Sequence, residues 1–209
     1  ADAARIVRTR GTLMYEQGVA CPGAMAAVIG SLSVPIDQLC AQATSESGLA
    51  VAANYNSPVQ VVISGEVAAV ERAMQLAKDA GAKRLLPLPV SGAFHSPLMA
   101  PAAAGLSTAL DAAQWHAPRV PVYANVNAEP VHDAATARGL LVRQLTAPVL
   151  WSQTMQRMAE TYPDATFVEI GTGNVLSGLL RRIAPNVRTA TCGTIAEVEA
   201  LLDIAGTHV

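Results

Sequence analysis

Charge is scarce in this sequence: 14% of its 209 residues are Asp, Glu, Lys or Arg, against about 25% in an ordinary globular domain. Lys and Arg number 14 and Asp and Glu 16, a formal net charge of -2, so neither nucleic acid nor an anionic membrane surface is recommended as a partner. Long apolar runs are missing too. No unbroken apolar run reaches the roughly 18 residues that a spanning helix needs; the uncharged stretches, residues 85–110 the longest, are broken by proline, glycine and polar residues. Cysteine is limited to Cys21, Cys40 and Cys192, an odd number at wide spacing that fits neither a disulfide framework nor a zinc site and suits a reducing compartment. No signal or lipidation motif opens the sequence.

What is plentiful is apolar: 51% of the residues are hydrophobic, which excludes disorder and implies that the surplus faces protein. The length allows one large domain or two small ones. Residues 2–17 carry Ile6, Val7, Leu13 and Met14 at helical spacing among Arg5, Arg8 and Arg10, with Gly18 as a stop. Because this helix begins at once, an N-terminal part is expected elsewhere. Strands are expected at 24–29, 49–54, 59–64 and 84–90. Helices fall between them, one capped by Ser33 with Pro35 in its first turn and one, 67–80, closed by Gly81. Asn56, Ser57 and Pro58 read as a turn.

The order β-α-β-β-α-β over residues 23–90 predicts a ferredoxin-like antiparallel unit with both helices on one face. Beyond it helices at 97–113, 135–145, 151–162, 174–183 and 195–204 alternate with strands at 120–125, 165–170 and 187–191. That alternation predicts parallel α/β architecture with strands buried on both faces. Residues 1–17 and 91–209 are therefore assigned to a larger body, incomplete here, into which 18–90 are inserted.

Few residues stand out for chemistry. His95 lies between an apolar strand and a helix, where active-site loops of α/β proteins gather. His116 and His132 read as surface residues and His208 as part of a tail. Arg10 reads either as one of three arginines on a solvated helix face or as an anion ligand. Gln144 ends a helix, where free carbonyls can accept hydrogen bonds, a histidine's among them. Gly171-Thr172-Gly173-Asn174 is a tight turn or a weak anion site. Ser47, Ser96 and Ser177 lack the glycine-flanked elbow of a nucleophile, and no metal-ligand cluster is visible.

Several segments in order resemble malonyl-CoA:acyl carrier protein transacylases, the acyltransferase family of fatty acid and polyketide synthesis. They are Val7-Arg8-Thr9-Arg10-Gly11 with Leu13-Met14, Gly23 to Ala27, Asn54 to Pro58 with Gln60 to Gly65, Gly81 to Arg84 with Leu86 to Ser91, Phe94-His95-Ser96 with Leu98-Met99, Val142 to Leu145 with Pro148-Val149, and Phe167 to Gly171. The resemblance implies a parallel-sheet α/β-hydrolase-like body with the ferredoxin-like subdomain inserted. It also implies ping-pong transfer of malonyl from coenzyme A to the phosphopantetheine thiol of an acyl carrier protein.

On the same resemblance His95 is the general base and Gln144 supplies the carbonyl that fixes its ring. Arg10 takes the malonyl carboxylate, Phe94 excludes an α-methyl branch, and Met14 and Asn56 belong to the substrate site. The nucleophilic serine falls in an N-terminal part of the fold that these residues do not include, and Thr172 stands where relatives often carry proline. No cofactor beyond the two substrates is implied, nor any nucleic acid or membrane partner, and the bacterial cytoplasm is the expected compartment. A non-catalytic acyl-CoA or carrier-protein binding fragment is the alternative. An RNA-binding unit is disfavoured, since the sheet offers only Tyr55 and no basic stripe.

Overall fold

Ile6, Leu13 and Met14 share one side of a single helix, α1 (Asp2–Ala20), because side chains three to four residues apart stack on one face. The structure is a computed structural model and describes residues 2–206; His208 lies outside the described residues. The chain divides into two compact units, residues 1–151 and 152–209. Among the described residues no helix is long and apolar enough to cross a membrane.

Gly18 does not stop α1 as expected. The helix runs through it to Ala20, and Gly18 is there because the backbone of Ser91 and Gly92 lies against it: a Cβ would stand 2.5 Å from the Ser91 carbonyl oxygen.

Next come β1 (Ala24–Ile29), α2 (Ile36–Ser47), β2 (Ala50–Ser57), β3 (Gln60–Gly65), α3 (Val67–Asp79) and β4 (Arg84–Pro87). The strands form one antiparallel sheet in the order β2-β3-β1-β4. Side chains alternate across a strand. Ala26, Val28, Ala52 and Ile63 therefore meet Leu39, Cys40 and Ala43 of α2 and Val70, Ala73 and Ala77 of α3. The alanines at these contacts let both helices lie close to the sheet. Met25, Ala27, Ala53 and Val62 form a second cluster on which Leu88 and Phe94 pack. With both faces of β1 covered, its unbroken apolar run needs no alternation.

Four local expectations change. Ser33 does not cap α2; its hydroxyl donates to Ala80 O, and Pro35 holds the cap position. Asn56 and Ser57 belong to β2, which runs on to Ser57 through two register shifts and leaves only Pro58 and Val59 for the turn. β4 ends at Pro87 rather than residue 90, since Pro87 and Pro89 lack the N–H that a ladder needs. The helix expected over 97–113 is a 3₁₀ turn, Pro97–Met99, followed by α4 (Ala102–Asp111).

β5 (Val122–Ala124) pairs antiparallel with β6 (Glu129–Val131), a partner that Pro130 disguises in the sequence. This hairpin departs from the purely parallel arrangement expected beyond residue 90. α5 (Ala134–Arg143) follows, its first turn capped by the Asp133 carboxylate on Thr136 N at 2.8 Å.

The second unit carries α6 (Trp151–Thr161) from its second residue on, β7 (Thr166–Ile170), α7 (Val175–Ile183), β8 (Arg188–Cys192) and α8 (Ile195–Gly206). β7 and β8 pair in parallel, from Thr166 opposite Arg188 to Ile170 opposite Cys192. The strands are half-buried, with Ile170 exposed, rather than buried on both faces. The chain as a whole is an α/β protein.

Candidate active site

His95 follows β4 and the segment 88–94 that lies on the sheet's second face. It has φ 58, a left-handed conformation uncommon for a residue with a Cβ, which costs about 1–3 kcal/mol and persists only where the surroundings impose it. Here they do. The Ser96 hydroxyl, fully buried, donates to Ala93 O at 2.6 Å and accepts from Leu98 N at 3.3 Å. Met99, also fully buried, nails the following turn into the cluster of Met14, Leu106, Leu110 and Leu145.

The ring of His95 reaches across to the end of α5, where Nδ1 stands 2.9 Å from the main-chain oxygen of Gln144. A carbonyl only accepts, so the neutral imidazole carries its proton on Nδ1 and leaves the Nε2 lone pair free to act as a base. Burial pushes the imidazole below the usual histidine range. The Gln144 carbonyl pulls it back up, the nearby Arg10 charge lowers it, and the Ala147 carbonyl raises it. Among the described residues no carboxylate takes part.

Gln144 caps α5 and donates from Nε2 to Ala147 O at 3.0 Å and Pro148 O at 3.1 Å. Val149 then joins the edge of the sheet: its N–H donates to Ala53 O at 2.8 Å, and Tyr55 N donates to its carbonyl at 2.9 Å.

Arg10 shares the inner side of α1 with Ile6 and Met14, one turn to either side. It is half-buried, and that burial lowers its pKa. Arg5 pairs with Asp2, whereas Arg10 makes no ion pair or hydrogen bond within the described residues. The planar fork of a guanidinium suits a carboxylate, and Arg10 is half-buried rather than on a fully solvated helix face.

Phe94 lies beside His95 and packs on both the Met14–Met99 cluster and the Met25–Val62 cluster. Met14 is a core residue, 8% exposed. Asn56 is half-buried in β2, and no hydrogen bond joins it to His95, Gln144 or Arg10. His116 and His132 are exposed.

Sequence reasoning missed Ser96 as a structural residue, although Ser before Pro at a helix start is its signal. It also missed Gln17, whose Nε2 donates to Leu98 O at 2.8 Å but which carries no local signature.

Past the glycine-rich turn after β7, Leu176 N and Ser177 N of α7 donate to the Glu169 carboxylate at 3.0 and 2.8 Å, which holds Glu169 below its ordinary pKa, the Ser177 bond foremost. Gly171 and Gly173, at φ 130 and 96, make the tight turn. Among the described residues no three of His, Cys, Asp and Glu converge as metal ligands. Cys40, pushed up to about 12 by burial and then by Asp37, is no nucleophile.

The profile of the acyl transferase domain matches residues 1–202. The chain belongs to that acyl transferase family. It is 43% identical over 189 residues to the malonyl CoA-acyl carrier protein transacylase of Bacillus subtilis, a match covering 90% of this chain and 59% of the relative. Against its namesake in Haemophilus influenzae the identity is 42% over 202 residues, 96% of this chain and 64% of that one.

Among solved structures, the acyl-carrier-protein S-malonyltransferase of Bartonella henselae superposes with a TM-score of 0.91 at 43% identity, covering 98% of this chain and 65% of that one. A malonyl-transacylase in complex with a type II polyketide synthase acyl-carrier protein gives 0.88 at 40%, over 95% and 64%. The chain thus spans about six tenths of the length of the relatives it matches.

Proposed function

We propose that this chain is the histidine-bearing portion of a malonyl-CoA:acyl carrier protein transacylase, acting in fatty acid or polyketide synthesis in the cytoplasm. The observation that carries the reading is His95, fixed through Nδ1 on the Gln144 carbonyl at 2.9 Å with Nε2 free, alongside Arg10, half-buried without a partner anion. A base and an anchor for a distal carboxylate are what malonyl transfer needs. The relatives' names supply malonyl-CoA and the acyl carrier protein as partners.

On this reading the nucleophile is a serine in an N-terminal segment of the same fold, outside these 209 residues. His95 Nε2 takes the hydroxyl proton as the serine oxygen bonds to the thioester carbon. The C–S bond then breaks, and the imidazolium returns the proton to the coenzyme A thiolate. In the second half the phosphopantetheine thiol gives its proton to Nε2 and attacks the acyl serine, and the serine oxygen leaves with that proton. The Gln144 carbonyl replaces the carboxylate of a Ser-His-Asp triad. Arg10 grips the malonyl carboxylate and Phe94 blocks an α-methyl branch, while Met14 backs the site from the core and Asn56 contacts substrate from β2. No cofactor beyond the two substrates is needed.

Residues 18–90 are read as a ferredoxin-like subdomain. Residues 1–17 and 91–209 are read as parts of a larger α/β-hydrolase-like body.

The test is Arg10→Ala in the enzyme carrying both this chain and its serine. Malonyl transfer should fall at least about a hundredfold, the scale of losing a charge-assisted pair, and acetyl transfer should change little. Equal losses with both acyl groups would overturn the reading.

A further inference from the structure

We propose, resting on the acyl-transfer reading above, that the side chain of Gln144 is a positioning residue for the reaction: its carboxamide staples the turn after α5 so that the Gln144 main-chain oxygen stays aimed at His95 Nδ1. Any residue at 144 would supply a carbonyl. Only a side chain of this length with two N–H groups can donate both to Ala147 O, at 3.0 Å, and to Pro148 O, at 3.1 Å. Both hydrogens of the amide are used, and each closes the turn back on the residue whose carbonyl holds the histidine.

The rest of the turn shows why the staple matters. On its near side Thr146 N and Ala147 N return to Arg143 O at 3.2 and 3.0 Å, and Leu145, 1% exposed, is sunk in the core. On its far side Val149 is clamped to β2. Between these anchors Pro148 has no N–H to contribute, so the carboxamide spans the weak stretch.

A triad aspartate holds its imidazole by charge as well as geometry. A neutral carbonyl makes a hydrogen bond roughly half as strong as a charged one, so alignment here depends on a rigid turn. Ala147, whose carbonyl also acts on His95, is fixed by the same amide.

Gln144→Met keeps the length and the main-chain oxygen and removes the donor. In the enzyme with its serine, kcat for malonyl transfer should fall roughly ten- to a hundredfold, up to the lower end of the roughly 10²–10⁴-fold that a general base contributes, with KM for malonyl-CoA held within about twofold. The slowly exchanging His95 Nδ1–H proton, followed by NMR, should be present in the parent and lost in the variant. Gln144→Asn keeps an amide one methylene too short, and it gives the same result should the methionine variant fail to fold. Parental kcat, or a loss confined to KM, would overturn the proposal. If the parent itself transfers no malonyl, the acyl-transfer reading fails. The Nδ1–H proton still decides the staple, and its persistence in Gln144→Met would refute it.

Discussion

Gln17 Nε2 donates to the main-chain oxygen of Leu98 at 2.8 Å, tying α1, which bears Arg10, to the turn that follows His95. One residue further on, Gly18 lets the same helix touch the backbone of Ser91 and Gly92. That hydrogen bond and that close backbone approach join the helix bearing Arg10 to the segments flanking His95.

Gly18→Val should cost about 1–3 kcal/mol, the scale of overpacking, because its Cβ would meet main-chain atoms that cannot swing away. Gly11→Ala, in open space on the same helix, should instead gain up to about 1 kcal/mol from helix propensity. Urea denaturation of both variants checks the contrast.

Phe94→Ala should admit methylmalonyl-CoA. Excluding one methyl group is worth about 1–3 kcal/mol, so the malonyl preference should drop by roughly 10- to 200-fold, read as the ratio of kcat/KM values. Because Phe94 belongs to two core clusters, stability should fall as well, by less than the roughly 3–5 kcal/mol of a fully buried phenylalanine.

His95, held low chiefly by burial, should keep transfer active into mildly acidic solution, since the base stays neutral there. The stability effect has a definite sign. Below the unfolded value near 6.5 the unfolded chain binds a proton that the folded chain resists, so stability declines as pH falls from about 6.5 through the folded value. His95→Gln should flatten that decline, seen in Tm against pH, and abolish transfer.

Glu197 accepts from the Thr191 hydroxyl and from Gly193 N and Thr194 N at 2.9 Å each, and is pushed down to about 2. Its contribution is present above the unfolded carboxylate value of about 4.3 and is lost as pH falls toward 2. Glu197→Gln should lower Tm at pH 7 and leave it unchanged at pH 2.

The elements of residues 23–87 were legible because turn chemistry and apolar patterning agree there. Gly81 at φ 100 closes α3 as its sequence position suggested. Gly18 was misread, since a glycine that ends a helix and one that admits a neighbouring backbone look alike in sequence. Asn56 was misread because Asn-Ser-Pro suits a turn, yet a bulged strand absorbed it. Of the candidate site, the placement of His95 between strand and helix was legible. The burial of Arg10 was not, because the residues that shield it are distant in the chain. The Gln144 staple was invisible because its acceptors are main-chain carbonyls, which any residue provides.

The central claim is that His95 serves a serine outside these 209 residues in taking malonyl from coenzyme A. Intact-protein and peptide mass spectrometry after mixing the serine-bearing enzyme with malonyl-CoA tests it most directly. The account predicts one malonyl group on a serine preceding Asp2, its formation suppressed by His95→Ala. An adduct on Ser96 or any other serine of the chain, or undiminished labelling without the histidine, would contradict it.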